Sequence, residues 1–264
     1  MSHVARRRRR RGGHRLLRAV AGGGALLIAL ALPATTSEAQ GGGVRPGGAP
    51  VRPEGLSGPD AAALKLLERA ATAYQSARTL RAEFTQRLSN PRTRTDLRSR
   101  GEFFQQGASR FAFRFSEPAD DRIVADGDAI WLYSPSTARG QVFKMPRAAG
   151  MGIDLTASVL REPAQRYTIA ALGDTTLDGR RVRAVRLVPK AAGGTFQRAT
   201  LWLDLESALV RQAEFTEASG LLRTLTFTGI RIGGSLPRGV FTFTPPPGVR
   251  VIDQAAMLGG TGRP

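Results

Sequence analysis

Hydrophobic and polar residues alternate along much of the chain, most clearly at residues 109–116. There Phe111, Phe113 and Phe115 occupy every second position and Arg114 lies between two of them. Because successive side chains of a strand point to opposite faces, this spacing predicts a strand with one aromatic face and one solvated face. The aromatic face either packs into an ordinary core or lines a cavity that holds an apolar ligand.

The same two-residue period predicts about ten strands in all. They fall at residues 80–88, 95–106, 109–116, 121–126, 129–134, 140–145, 165–172, 180–188, 197–205, 208–217 and 221–232. Turn-forming pairs such as Asn90-Pro91 and Asp178-Gly179 separate them. The crossover helices that parallel strands need are missing from the pattern, so we expect an α+β fold that is mainly antiparallel, as one curved sheet or barrel.

The period changes to that of a helix at residues 59–77, where apolar residues recur three and four positions apart. These residues are Leu64, Leu67, Ala71 and Tyr74. A second, short helix is predicted at residues 151–162, because apolar residues fall loosely on one side and Pro163 follows as a stop signal. Each helix therefore has one apolar face to bury.

The first 39 residues have the three parts of an export signal. Arginines at 6–11 precede an apolar stretch at 19–32, and the small-residue site Ser37-Glu38-Ala39 follows. The apolar stretch is shorter than the roughly 20 residues of a spanning helix. We expect cleavage after Ala39. The protein is then periplasmic, exported by either the general secretory or the twin-arginine route.

The remaining chain divides into a linker, one domain and a tail. Residues 40–58 are rich in glycine and proline, which predicts a flexible linker. Residues 59–255 are expected to form a single folded domain, and residues 256–264 a flexible tail. We expect a monomer.

Composition narrows the chemistry after the signal. The full chain has a formal net charge of +18, and without residues 1–39 it is +11; a GC-rich genome and an acidic partner both explain such an excess. Both histidines, His3 and His14, lie in the signal and cysteine is absent. This excludes a Ser-His-Asp triad, thiol nucleophiles and nearly all zinc sites from the mature chain. We expect no enzyme activity, no cofactor, no metal and, once export removes the arginine run, no nucleic-acid partner.

Five stretches carry a recognisable family pattern. They are LRAEFTQRL at 80–88, GEFF at 101–104, RFAFRFSEP at 110–118, IVADGDAIWLYSP at 123–135 and FTFTPPPGVRVIDQ at 241–254. In order and spacing, over residues 60–255, they resemble the LolA family of outer-membrane lipoprotein carrier proteins. The resemblance implies an incomplete, open β-barrel with a helical lid over an apolar cavity. It also implies a periplasmic carrier that takes acylated lipoproteins or related lipids from an inner-membrane ATP-driven exporter to an outer-membrane acceptor, without catalysis.

One position departs from the family. Where its members commonly have an Arg-Pro pair whose arginine helps to hold the lid shut, this chain has Gly107-Ala108. Arg110 follows closely, but by alternation it points away from the side of Phe111. The latch is therefore left without an assigned residue.

The resemblance gives candidates for the cavity and its lid. The predicted lining is Phe84, Phe104, Phe111, Phe113, Phe115, Ile123, Trp131 and Tyr133. The predicted lid residues are Leu64, Leu67, Leu155 and Leu160. Such side chains offer non-directional contact that suits acyl chains of varied length. Taken alone, the residues favour a filled barrel core, the usual place of alternating aromatic side chains, and the resemblance reverses that preference for the set as a whole.

A second function remains open at this point. A regulatory module that senses lipoprotein or lipid has a similar half-barrel shape and acts by binding a membrane partner. It usually carries a further domain or a spanning segment, and neither is visible in this sequence. Separately, four aspartates cluster at residues 120–128, but their spacing matches no calcium loop. We expect that cluster to be a solvated turn.

Overall fold

Twelve strands form one open sheet in the part of the chain that the structure describes, which is residues 58–107, 109–146, 159–192 and 195–254 of a computed structural model. The strands are β1 (Leu80–Asn90), β2 (Thr95–Gln106), β3 (Arg110–Glu117), β4 (Arg122–Ala125), β5 (Ala129–Tyr133), β6 (Gln141–Pro146), β7 (Tyr167–Leu177), β8 (Arg180–Pro189), β9 (Arg198–Asp204), β10 (Val210–Thr216), β11 (Leu222–Ile232) and β12 (Arg250–Asp253). The helices are α1 (Gly58–Ser76) and α2 (Pro163–Arg166).

The sheet has the strand order β12-β6-β5-β4-β3-β2-β1-β11-β10-β9-β8-β7. Two meanders, β1 to β6 and β7 to β11, are joined where the first strand pairs with the eleventh, so that Leu80 lies opposite Ile232. We call them the first and second halves of the sheet. All pairs are antiparallel except β12 with β6, which is parallel. The expectation of an open, mainly antiparallel sheet is confirmed.

The eleven predicted runs, taken as about ten strands, correspond to β1 to β11, and the structure adds one short strand, β12. Strand β12 is four residues long and follows the proline-rich stretch at 245–247. Its residue Val251 pairs with Val142 of β6, far away in sequence. Alternation within one segment carries no information on such a distant, parallel partner.

The first helix is confirmed at Gly58–Ser76, one residue from the expected bounds. Gly58, assigned to the linker from sequence, is its first residue. The second helix was predicted at residues 151–162, and of these only 159–162 belong to the described residues. Pro163 does not end a helix but begins α2, because proline suits the first helical turn, where its missing N–H leaves no bond unmade.

Several expectations concern parts of the chain outside the described residues. They are the signal at residues 1–39, the linker to residue 57, the lid residue Leu155 and the tail at 256–264. These expectations stay predictions.

Apolar side chains form two clusters on opposite faces of the sheet. The larger cluster joins α1 to one face, which we call the inner face. The smaller cluster lies on the outer face, where residues of the stretch 236–243 cover it. Adjacent residues of β2 show the division, since Phe103 belongs to the inner cluster and Phe104 to the outer one. The strand period of two explains why neighbours separate in this way.

Candidate functional site

Six phenylalanine rings form a continuous patch on the inner face, which we call the aromatic row. Its members are Phe84, Phe103, Phe111, Phe113, Phe115 and Phe227. Phe113 lies at its centre, with ring centroids 4.7 Å from Phe103, 5.0 Å from Phe84 and 6.1 Å from Phe111. Phe113 is 1% exposed, so the patch is closed to solvent in this state.

Strand register brings these rings together from four strands. Phe103 of β2 lies directly opposite Phe113 of β3, and Phe84 of β1 lies opposite Phe227 of β11. Directly opposed side chains on one face stand close enough to interact. Phe84 meets Phe113 edge to face at 81°, an arrangement that aromatic rings prefer.

Five of the eight predicted lining residues lie on the inner face. They are Phe84, Phe111, Phe113, Phe115 and Ile123. Sequence reasoning missed Phe103 and Phe227, which complete the row. The alternation of β2 contained the signal for Phe103, because Phe103 is in phase with Leu97 whereas Phe104 is in phase with the charged residues Arg98, Arg100 and Glu102.

The other three predicted lining residues, Phe104, Trp131 and Tyr133, are placed on the outer face, so that part of the prediction is wrong. The Phe243 ring covers Trp131 and Tyr133 at 5.7 and 5.5 Å between centroids. In β5 the inner positions belong instead to Ile130 and Leu132. The sequence prediction favoured aromatic over aliphatic residues and so chose the wrong side of the pleat.

Residues predicted for the lid reach the inner cluster where the structure describes them. Leu67 and Leu160 are fully buried in it, and Leu64 packs against it from a half-buried position. The helix also contributes Ala63, Leu66, Ala70 and Tyr74. The helix therefore covers the inner face with an apolar side, as its periodicity predicted.

The polar contacts of α1 with other elements run to the second half of the sheet. Asp60 Oδ1 accepts a hydrogen bond from the Ala171 N–H at 2.7 Å. Arg69 Nη2 donates to the Glu206 carbonyl oxygen at 2.9 Å. The Tyr74 hydroxyl oxygen accepts from the backbone N–H of Val210 at 3.3 Å. Among the described residues, no such hydrogen bond joins α1 to the first half of the sheet, where the rings are buried by apolar contacts.

Tyr74 is fully enclosed between α1 and β10. Burial raises the pKa of its hydroxyl to about 12, although the Val210 hydrogen bond and the charge of Arg211 act in the opposite direction. An ionised phenolate is poorly solvated there, so the folded protein holds the proton at a pH where an exposed tyrosine has lost it.

We therefore expect the free energy of unfolding to fall between pH 10 and pH 12. The unfolded tyrosine ionises near pH 10, whereas the folded one stays neutral to about pH 12, so this contribution is complete below pH 10 and lost as pH rises through the folded value. The slope is about 1.4 kcal/mol per pH unit for one such group. Urea unfolding of wild type and Tyr74→Phe across this range checks it; equal slopes in the two proteins would contradict the assignment.

Arg110 does not take the place of the arginine that the family has where this chain has Gly107-Ala108. Arg110 is exposed, and its Nη1 donates to Gln106 Oε1 at 3.3 Å. Gly107 has a φ of 59°, in the left-handed region that favours glycine, and its N–H donates to the Arg78 carbonyl oxygen. Among the described residues, the polar contacts of α1 with other elements are those with the second half of the sheet.

The aspartate cluster is less solvated than expected. Asp121 is fully buried and accepts hydrogen bonds from the hydroxyl and the N–H of Ser136; desolvation raises the pKa of its carboxyl. Burial also acts to raise the pKa of Asp126, but hydrogen bonds from Ala129, Trp131 and Asp128 outweigh it and lower that pKa. Both carboxylates therefore hold loops in place. The described residues contain no group of three or more side chains suited to bind a metal.

Comparisons with known proteins agree with the fold. A family model described as outer membrane lipoprotein carrier protein LolA matches residues 75–244. An outer-membrane lipoprotein carrier protein of Nitrosospira multiformis is 28% identical over 180 residues, which cover 68% of this chain and 84% of that protein. One of Albidiferax ferrireducens is 31% identical over 213 residues, covering 76% and 94%.

Among solved structures, a LolA superfamily protein of Nitrosomonas europaea aligns with a TM-score of 0.38 and 16% identity, over 68% of this chain and 96% of that one.

In the ranges that the structure describes, neither helix has the length and apolar character needed to cross a bilayer.

Proposed function

The chain belongs to the LolA family of outer membrane lipoprotein carrier proteins, and from this premise we propose that it ferries acylated lipoproteins from the inner to the outer membrane. The observation that carries the proposal is the aromatic row on one face of an open sheet, in the same apolar cluster as α1. The donor would be an inner-membrane ATP-driven exporter and the recipient an acceptor at the outer membrane. No covalent step is part of this function.

The physical task of such a carrier is to hide hydrocarbon from water. Exposing an acyl chain costs about 0.8 kcal/mol per CH₂, so a sixteen-carbon chain costs on the order of 12 kcal/mol. Unaided passage through an aqueous compartment is negligible at that free energy. A carrier has to offset this cost and still release the cargo.

The aromatic row suits this task because its contacts are non-directional. Each aromatic side chain gains roughly 1.5 to 3 kcal/mol when buried, whether against protein or against an acyl chain. Exchange of one apolar contact for another is therefore nearly neutral. That balance favours binding which remains reversible.

Loading requires the closed row to open, and the distribution of polar contacts favours one way. Helix α1 is tied by Asp60, Arg69 and Tyr74 to the second half of the sheet. Most of the aromatic row lies on β1, β2 and β3 of the first half. We propose that α1 stays with the second half while the first half moves away, so that the rings become open to acyl chains.

The proposal includes the compartment. Periplasmic work requires export, and residues 1–39 have the composition of a cleaved signal. We propose cleavage after Ala39, with residues 40–57 as a flexible linker before α1. The positive charge that remains is compatible with work close to anionic membrane surfaces.

Gentle native mass spectrometry tests the function. We expect protein produced in the periplasm of a Gram-negative host to carry an adduct with the mass of a lipid or lipopeptide, since an occupied aromatic row is shielded from water. The mass of the adduct distinguishes a lipoprotein cargo from a free lipid. The mass of the protein also reports cleavage after Ala39. Protein that is folded and never carries an acylated molecule would contradict the proposal.

A further inference from the structure

One buried cation on the inner face has a donor group without an acceptor. Arg223 lies in β11, and its side chain is 8% exposed. Its Nη2 donates to Glu217 Oε1 at 3.0 Å. Its Nη1 is buried and has no hydrogen-bond partner among the described residues. A buried donor left unpaired is unfavourable, and native proteins seldom keep one without a reason.

The register places Arg223 on the inner face, two inner positions along β11 from Phe227 of the aromatic row. Arg223 lies opposite Leu88 of β1 and Phe215 of β10, both on the inner face. Two positions before Leu88 comes Gln86, whose Nε2 donates to Ser99 Oγ at 3.2 Å. Phe84 of the aromatic row is the next inner residue of β1. The row therefore ends in a small polar region, which we call the polar end: Gln86, Ser99, Glu217 and Arg223.

The charges of the polar end determine which ligand fits it. Glu217 already neutralises Arg223, and both side chains are largely buried, at 15% and 8% exposed. An anionic ligand would add an uncompensated negative charge in a poorly solvated place. A neutral oxygen acceptor satisfies the free N–H without adding charge.

Acylated molecules carry such an acceptor at the point where their hydrocarbon ends. The fatty acyl chains of lipoproteins and phospholipids are attached through esters or amides, and the carbonyl oxygen of such a linkage is a neutral acceptor. Hydrocarbon on the aromatic row would place the linkage at one end of the row. The polar end offers a donor at such a position.

We propose that the polar end is a subsite for the acyl-linkage carbonyl oxygens of the cargo, with Arg223 Nη1 as the donor. This inference rests on the proposed function, because it requires acyl chains on the aromatic row. It adds a polar anchor to an otherwise non-directional site. Cargo orientation then follows, since the hydrocarbon lies on the rings and the linkage lies at Arg223.

A pair of probes isolates the carbonyl. One is a peptide whose N-terminal cysteine carries two ester-linked palmitoyl chains and a free amino group, and the other is the same peptide with both chains attached as hexadecyl ethers of matched length. The variant is Arg223→Met combined with Glu217→Gln, which removes the donor without leaving a lone carboxylate. The exposed-residue variant Arg98→Met serves as the control.

We expect the purified mature wild type to bind the ester probe about tenfold more tightly, relative to the ether probe, than the double variant does. The Arg98→Met control should keep the wild-type ratio. Equal weakening of both probes in the double variant would assign Arg223 a purely structural role and overturn the subsite. An unchanged ratio would overturn it as well.

The outcomes separate this inference from the function beneath it. A wild type that shows no preference between the peptide probes, and none between a dipalmitoylated phospholipid and its ether analogue, keeps the carrier function and loses the subsite. A wild type that binds neither probe contradicts the carrier function itself. Dipalmitoylphosphatidylglycerol and its ether analogue distinguish the source of the carbonyl: a preference there, without one for the peptide, keeps the subsite and replaces lipoprotein by phospholipid as cargo.

Discussion

Replacing Phe113 with glutamate is expected to abolish capture of acylated cargo, whereas the same change at Phe104 is expected to spare it. Phe113 lies at the centre of the aromatic row, within 5.0 Å of Phe84 and 4.7 Å of Phe103 between ring centroids. A carboxylate there would meet only apolar partners, whether protein or cargo, and a buried unpaired charge is very unfavourable. We expect binding of a tripalmitoylated peptide to weaken by at least about a hundredfold.

Phe104 is a matched control because it is equally buried on the opposite face. The guanidinium groups of Arg81 and Arg114 lie 5.7 and 5.6 Å from its ring centroid, so a glutamate there has two cations nearby. Far-UV circular dichroism of both variants reports whether the sheet persists. Because Phe113→Glu has a risk of unfolding, the milder Phe113→Leu is measured beside it, with an expected loss of about three- to tenfold. Equal cargo binding by Phe113→Leu and wild type would show that the row is a core and not a binding face.

Replacing Gly101 with alanine is expected to destabilise the fold strongly. A Cβ at this position would lie 2.0 Å from the Arg114 carbonyl oxygen and 2.8 Å from the Phe115 Cα, so β2 and β3 have to separate. Overpacking typically costs about 1 to 3 kcal/mol, and a rigid backbone obstacle places this site at the upper end. At about 2 to 4 °C per kcal/mol for a domain of this size, we expect Tm to fall by roughly 6 to 12 °C.

Arg98→Ala is the control for that experiment, because Arg98 is an exposed residue of the same strand. Its Tm should stay within about 2 °C of wild type. Differential scanning calorimetry on the mature protein gives both values. A Gly101→Ala protein as stable as Arg98→Ala would mean that β2 and β3 do not approach so closely in solution. Since Gly101 lies opposite Phe84 and Phe115, the same variant should also disturb the aromatic row.

The elements of the fold were predictable from local pattern because each has a strong period. The alternation around Phe113 and the three-four spacing through Leu67 identified β3 and α1 within one residue at each end. What alternation does not determine is which of two opposite faces is covered by which segment. Both faces of β2 and β5 are apolar in part, since a C-terminal stretch covers the outer side. Phe104 and Trp131 were misplaced for that reason.

The polar features of the site depend on contacts between distant segments. Arg223 resembles any other arginine of a strand until β1 and β10 are paired on either side of it. Asp121 looked like a turn residue, and its burial against Ser136 follows from the packing of two separate loops. Local sequence gives the period of a strand, while the partner across the sheet decides whether a charge is hidden.

The pairing of β1 with β11 has a consequence for how the molecule assembles. Leu80 cannot meet Ile232 until nearly the whole domain is available, so the junction between the two meanders is among the most non-local contacts in the chain. Contacts of this kind slow folding, because chain entropy is lost before any pairing energy is gained. A chain emerging from an export channel would therefore remain incompletely folded through most of its export. Its most hydrophobic surface would be buried only in the last steps of folding.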